Sequence, residues 1–138
     1  MARVRSVSMN AYLNGGATEP VQTGFYVYRK ITDIRYPPPS GLWVFVDEHP
    51  DSINDGWLVN CVTCFNGWTD LPGSFHAGAC GFGFADGHAE IRKWRDTYNP
   101  ATKAGTVQPV LRSSHNGFPV NNDLDTKWTF ERTSAAIQ

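Results

Sequence analysis

The sequence predicts an α+β fold that is mostly β, a twisted antiparallel sheet wrapped by long irregular connections. Three observations carry that expectation. Thirteen glycines and nine prolines cut the 138 residues into short pieces. No helical apolar period persists along the chain, whereas several short runs alternate or are wholly apolar. Asp86-Gly87 stands between two strand-like runs, a strong short-range hairpin signal. The length fits one domain, 1–138, long enough for a core without metal or disulfide staples.

The elements follow in order. Residues 25–31 read as a strand, with Phe25 and Val27 on one face and Tyr26 and Tyr28 on the other. Tyr36-Pro37-Pro38-Pro39-Ser40-Gly41 lacks ladder donors and must connect. Residues 42–47 form a second strand, nearly all apolar and so central, and 56–62 form a third. Pro50, Asp51, Asn54, Asp55 and Gly56 crowd the link between those two, as an elaborate turn would. Residues 81–85 and 88–94 make the hairpin, closed by a type I′ turn at Asp86-Gly87, with Phe82 and Phe84 on one face. Beyond Trp94 the chain is rich in Pro, Asn and Ser as far as Asn122. Residues 124–132 then form one short amphipathic turn or a terminal strand that packs Trp128 and Phe130.

Composition removes several function classes. Twelve basic against thirteen acidic residues give a net charge of −1, too weak a field to hold nucleic acid or an anionic membrane. The apolar run at 41–46 is far short of the roughly 18 residues of a membrane helix. Met1-Ala2-Arg3-Val4-Arg5-Ser6 has a basic start but no apolar run after it, so nothing in these residues accounts for export.

Two clusters invite chemistry. Asp47, Glu48, Asp51, Asn54 and Asp55, with His49 among them, offer enough oxygens for a hard cation such as calcium. The spacing is not that of an EF-hand, and the same residues also read as Asx-turns closing a bend. His76, Asp86 and His88 form the other cluster, able to hold zinc at a turn or, with Glu48 and His49, a larger site; hydrogen bonds within the turn are the plainer reading. Cys61-Val62-Thr63-Cys64 has the spacing of a zinc knuckle without a second pair. Cys80 could join Cys61 or Cys64 in a disulfide, or all three could be free thiols. Ser74 precedes His76 by two residues but lacks a nucleophile elbow. A Cys80–His pair lacks an electropositive setting. The five tryptophans, Trp43, Trp57, Trp68, Trp94 and Trp128, either supply core area or present faces to sugars.

The spacing from His76 to Asp86-Gly87, read with Ser74-Phe75-His76 before it and His88-Ala89-Glu90 after, resembles the signature of the bacterial H-x9-DG proteins, a prepilin-like family of planctomycete and verrucomicrobial type. Three more stretches resemble the same family in its order: 3–12 its entry to the globular head, 47–56 its acidic loop, and Asn121, Asn122, Asp123, Trp128, Glu131, Arg132 and Thr133 its closing segment. Members of that family begin with a leader and a long apolar helix ahead of such a head. The present residues are therefore expected to be the C-terminal head of a longer chain. The resemblance implies a non-catalytic structural subunit of a secretion or surface-filament system, in the periplasm or at the cell surface. Its partners would be other pilin-like or secretion-system subunits, met through the N-terminal helix. Type II secretion pseudopilins, to which the family is similar, bind calcium in a head loop, which implies calcium as the one candidate cofactor. No nucleic acid or membrane contact is expected of the head itself, which would be a monomer or weak dimer. A secreted polysaccharide- or ligand-binding module is the alternative expectation, and a metal-dependent enzyme the second alternative.

Overall fold

A computed structural model describes residues 6–14, 22–61, 66–111 and 117–138. Among the described residues, seven strands alternate with irregular chain: β1 Val7–Asn10, β2 Trp43–Asp47, β3 Trp57–Leu58, β4 Gly67–Trp68, β5 Ala79–Phe84, β6 Ala89–Lys93 and β7 Phe118–Pro119. The single α-helix among the described residues is α1, Leu124–Phe130, and short 3-10 turns lie at Ile31–Asp33 and Pro39–Gly41. The fold is α+β and mostly β, as the glycine and proline punctuation predicts.

The main sheet has the order β3-β1-β2-β5-β6, so β2 is central, and β4 pairs with β7 apart from it. The sheet is mixed rather than purely antiparallel, because β3 runs parallel to β1 while the other pairs are antiparallel. A register shift between Trp43 and Phe45 in β2 turns Phe45 outward and leaves Trp43 and Val46 facing the core.

Two sequence expectations need correction. Residues 25–31 are not a strand: Phe25 bridges Ala136 and Tyr28 bridges Leu13, two isolated contacts with different partners. The third strand is only Trp57–Leu58, with 59–61 irregular; residue 62 lies outside the described residues. Asn60 explains the stop. It turns inward, fully buried, its Nδ2 donating to Thr133 Oγ1 at 3.1 Å while its carbonyl accepts the Tyr12 hydroxyl at 3.0 Å.

The core is aromatic. Trp43, Trp68, Phe82, Phe84, Trp94 and Phe118 are buried together, and Trp128 packs against them from α1. The rings meet edge to face, as in Phe82–Trp128 at 5.3 Å and Trp68–Trp94 at 5.8 Å. Each buried indole N–H has an acceptor: Trp43 to Thr133 Oγ1, Trp68 to Thr106 Oγ1 and Trp94 to the Gly73 carbonyl. The fully buried residues of α1 are polar, namely Asp125, Thr126 and Thr129. Trp128, half-buried, is covered by two guanidinium groups, Arg92 and Arg132, at 4.6 and 4.4 Å from the ring centroid.

Candidate functional site

The H-x9-DG spacing has a structural account. His76 lies in the turn that enters β5, and Asp86-Gly87 lies in the turn that leaves it. The residues between are strand β5 with two turn residues before it and one after. The hairpin turn itself differs from a type I′ turn. Gly87 N–H donates to the Phe84 carbonyl at 3.0 Å and Phe84 N–H to the His88 carbonyl at 2.9 Å. Gly87 alone has positive φ, +93°, so this is a three-residue loop ending in a left-handed glycine, the alternative hairpin closure.

His88 follows that turn and is held on both ring nitrogens. Nδ1 lies 2.5 Å from Asp86 Oδ1 and Nε2 3.2 Å from Glu90 Oε1. The ring stacks on Phe84 at 4.3 Å, with 8° between the planes. Two carboxylate acceptors on one imidazole favour its doubly protonated form. Hydrogen bonding to Asp86 first, and to Glu90 second, raises the His88 pKa, while His88 lowers that of Asp86. His76 is elsewhere, exposed, its Nε2 3.7 Å from Asp47 Oδ2. The expected His76–Asp86–His88 cluster is thus two separate pairs.

The acidic loop distributes its carboxylates. Glu48 is fully buried and accepts the hydroxyls of Ser8 and of Ser52, the latter at 2.7 Å. Asp51, also buried, accepts the Leu111 N–H at 2.6 Å. Asp55 is exposed and closes an Asx-turn on the Trp57 N–H at 2.8 Å. Asp47 faces His76, and Asn54 is exposed. His49 accepts the Asp51 N–H on Nδ1, which leaves the ring proton on Nε2 to donate to the Gln108 carbonyl at 3.1 Å. Among the described residues, no group of three or more His, Cys, Asp and Glu side chains is placed to hold a metal ion. The arrangement suits a hydrogen-bonded loop anchor.

Cys61 is disulfide-bonded and so offers no thiolate to zinc; Cys64 lies outside the described residues. Of the two readings open for Cys80, a disulfide or a free thiol, the structure has the second. The thiol is fully buried and donates to the Asp47 carbonyl at 3.2 Å. Burial, reinforced by the Asp47 charge, pushes its pKa up to about 12, the reverse of a reactive cysteine. Ser74 is buried and paired with the backbone of Gln108, with no histidine on its hydroxyl. Trp43, Trp68 and Trp94 are in the core, which leaves Trp57 and Trp128 half-buried.

Three carboxylates escaped the sequence reading. Asp125, fully buried, accepts the N–H groups of Arg95 and Asp96 at 2.9–3.2 Å. Asp96 accepts from Asn121 N–H, Asn121 Nδ2 and Asn122 Nδ2. Asp70 is buried beside strand β3, with its Oδ2 on the Val59 N–H at 2.7 Å, and burial pushes its pKa up to about 7. Their partners lie far off in sequence or on the backbone, so no local motif marks them. Comparison with protein-family models, with curated proteins and with solved structures gave no match.

Proposed function

We propose that the chain is the head of a pilin- or pseudopilin-like subunit, a non-catalytic structural part of a secretion or surface-filament system, displayed in the periplasm or at the cell surface. The observation that carries this reading is how the four stretches resembling the H-x9-DG family interlock. Strand β1, from the first, ties its Ser8 to Glu48 of the second and its Asn10 to the Thr133 carbonyl of the fourth. Asp47 of the second meets His76 of the third and accepts the Cys80 thiol on its carbonyl. The quoted residues therefore support a single body rather than a catalytic centre, and their polar groups are engaged in holding strands and loops together. Burial of Trp43, Trp68 and Trp94 takes three of the five indoles away from any sugar-binding face.

In this reading the assembly contacts belong to an apolar helix ahead of the head, and the partners are like subunits. The coding sequence upstream of Met1 tests it. A short leader followed in frame by about 20 apolar residues is the expected result. A cleavable signal peptide joined directly to this domain would refute it and favour a secreted binding module.

A further inference from the structure

We propose that the pocket between Tyr26, Asp33, Arg35 and Tyr36 binds a small dipolar ion of the phosphocholine class, its quaternary ammonium against the tyrosines and Asp33 and its oxyanion on Arg35. The proposal does not depend on the pilin-like reading. The pocket measures about 210 Å³, lies beside the Ile31–Asp33 turn and is lined by those four residues. Its walls are held from behind. Tyr26 donates its N–H to the Ala135 carbonyl at 3.0 Å, accepts the Ser134 hydroxyl on its own carbonyl at 2.7 Å, and stacks its ring on Tyr28 at 6.4 Å. Tyr28 is buried, and its hydroxyl donates to the Tyr36 carbonyl. Asp33 Oδ2 accepts the N–H groups of Arg29 and Lys30, each at 3.1 Å. The groups that face the pocket remain free. Among the described residues, no hydrogen bond or ion pair engages the hydroxyls of Tyr26 and Tyr36, the Arg35 guanidinium or Asp33 Oδ1.

Opposite charges held apart select the ligand. Asp33 and Arg35 line the same pocket yet form no ion pair with each other. A ligand with one charge is attracted by one of them and repelled by the other, whereas a ligand with both charges, spaced to match, is attracted twice. The Arg29 and Lys30 side chains are exposed and do not line the pocket, so its own charges balance. Tyrosine rings attract a cation through their quadrupole. The cation that fits is quaternary. A primary ammonium needs acceptors for its three N–H groups, and Asp33 has one oxygen to spare, whereas a quaternary ammonium needs none. The guanidinium fork of Arg35 suits the oxygens of a phosphate. At about 210 Å³ the pocket is smaller than a drug-sized site and has the scale of a headgroup. Arg35 and Tyr36 are exposed, so water and salt screen the charges, and the affinity is on the order of 1 mM.

Titration of the chain with phosphocholine to about 20 mM, followed by NMR of the tyrosine rings and backbone amides, tests the proposal. The expected result is a saturable shift centred on Tyr26, Asp33, Arg35 and Tyr36. Choline and inorganic phosphate should each bind about tenfold more weakly, and cellobiose should give no shift. Arg35→Gln, at an exposed side chain, should reduce phosphocholine to the affinity of choline and leave the melting temperature unchanged. Asp33→Asn keeps an oxygen for the Arg29 and Lys30 N–H groups and should weaken phosphocholine and choline but not phosphate. Co-sedimentation with phosphatidylcholine vesicles, lost with Arg35→Gln, would assign the headgroup to a lipid surface; binding of free phosphocholine alone would assign it to a soluble carrier. No saturable shift, equal binding of phosphate alone or of cellobiose, or an Arg35→Gln variant that binds like the parent would overturn the proposal.

Discussion

Asp70→Asn should stabilise the protein above neutral pH and leave it nearly unchanged near pH 4. Asp70 is 4% exposed, and burial raises its pKa from 3.8 to about 7 against the Val59 N–H bond that lowers it. The charges of Glu48 and Asp55 push in the same direction as burial. Between pH 4 and 7 the folded chain thus keeps a proton that the unfolded chain releases. Stability from this group is full below the unfolded value and is lost as pH rises through about 7. A rise from 3.8 to about 7 corresponds to about 4 kcal/mol. Asparagine carries no charge at any pH and keeps an oxygen for the Val59 N–H, so it removes that penalty. Relaxation around an ionised carboxylate lowers the recoverable part to about 2–4 kcal/mol at pH 8.5. The assay is urea unfolding of both proteins at pH 4.5, 6, 7.5 and 8.5, with the difference plotted against pH. A variant no more stable than the parent at pH 8.5, or a difference that does not vary with pH, would show that Asp70 is not a buried, late-titrating carboxyl.

Asp125→Ala should destabilise the fold by about 2–4 kcal/mol in denaturant titrations, because it strands the buried N–H groups of Arg95 and Asp96. Cys80 should resist thiol reagents in the native state at pH 8 and react fully once guanidinium unfolds the chain, given its burial and a pKa pushed up to about 12. Asp86→Asn should lower the His88 pKa, followed by NMR of the ring protons, since the Asp86 hydrogen bond is the first cause of its rise. Millimolar calcium should leave the melting temperature unchanged, because the loop carboxylates are directed at Ser8, Ser52, Leu111 and Trp57. A rise of several degrees that chelator reverses would mean the loop rearranges to bind the ion.

What was legible in the sequence was what local pattern decides. Strands β2, β5 and β6 lie close to where apolar runs and Asp-Gly put them, since β2 is central and the hairpin is closed by neighbours in sequence. Strand β1 was hidden because its inward residues are polar: Ser8 and Asn10 are buried, one on Glu48 and the other on the Trp43 and Thr133 carbonyls. Reversed alternation of this kind reads as loop. The stretch 25–31 failed the other way. Its alternating aromatics suggest a strand, but tertiary contacts divide Phe25 and Tyr28 between the chain end and the residues after β1. At the candidate site, the residue types of the acidic loop read either as a cation site or as Asx-turns, and Asp55 makes such a turn on the Trp57 N–H. Ser52 and Trp57 are local partners, but Ser8 sits 40 residues before Glu48 and Leu111 60 after Asp51, and no spacing rule reaches those two.

The same long reach explains how a chain with so little regular structure keeps a fixed shape. An irregular connection carries backbone donors that no ladder satisfies, and each one buried without an acceptor is costly. Here short acidic and hydroxyl side chains take the place of ladders. Asp125 receives the chain leaving β6, and Asp96 receives the residues that lead into α1. Thr133 joins β2, the irregular chain after β3 and α1 by accepting from the Trp43 indole and Asn60 and donating to the Thr129 carbonyl. Each of these side chains ties together segments distant in sequence, so losing one frees several strands or loops at once. Substitutions at Asp96, Asp125 and Thr133 should therefore couple non-additively with those in the aromatic core they frame.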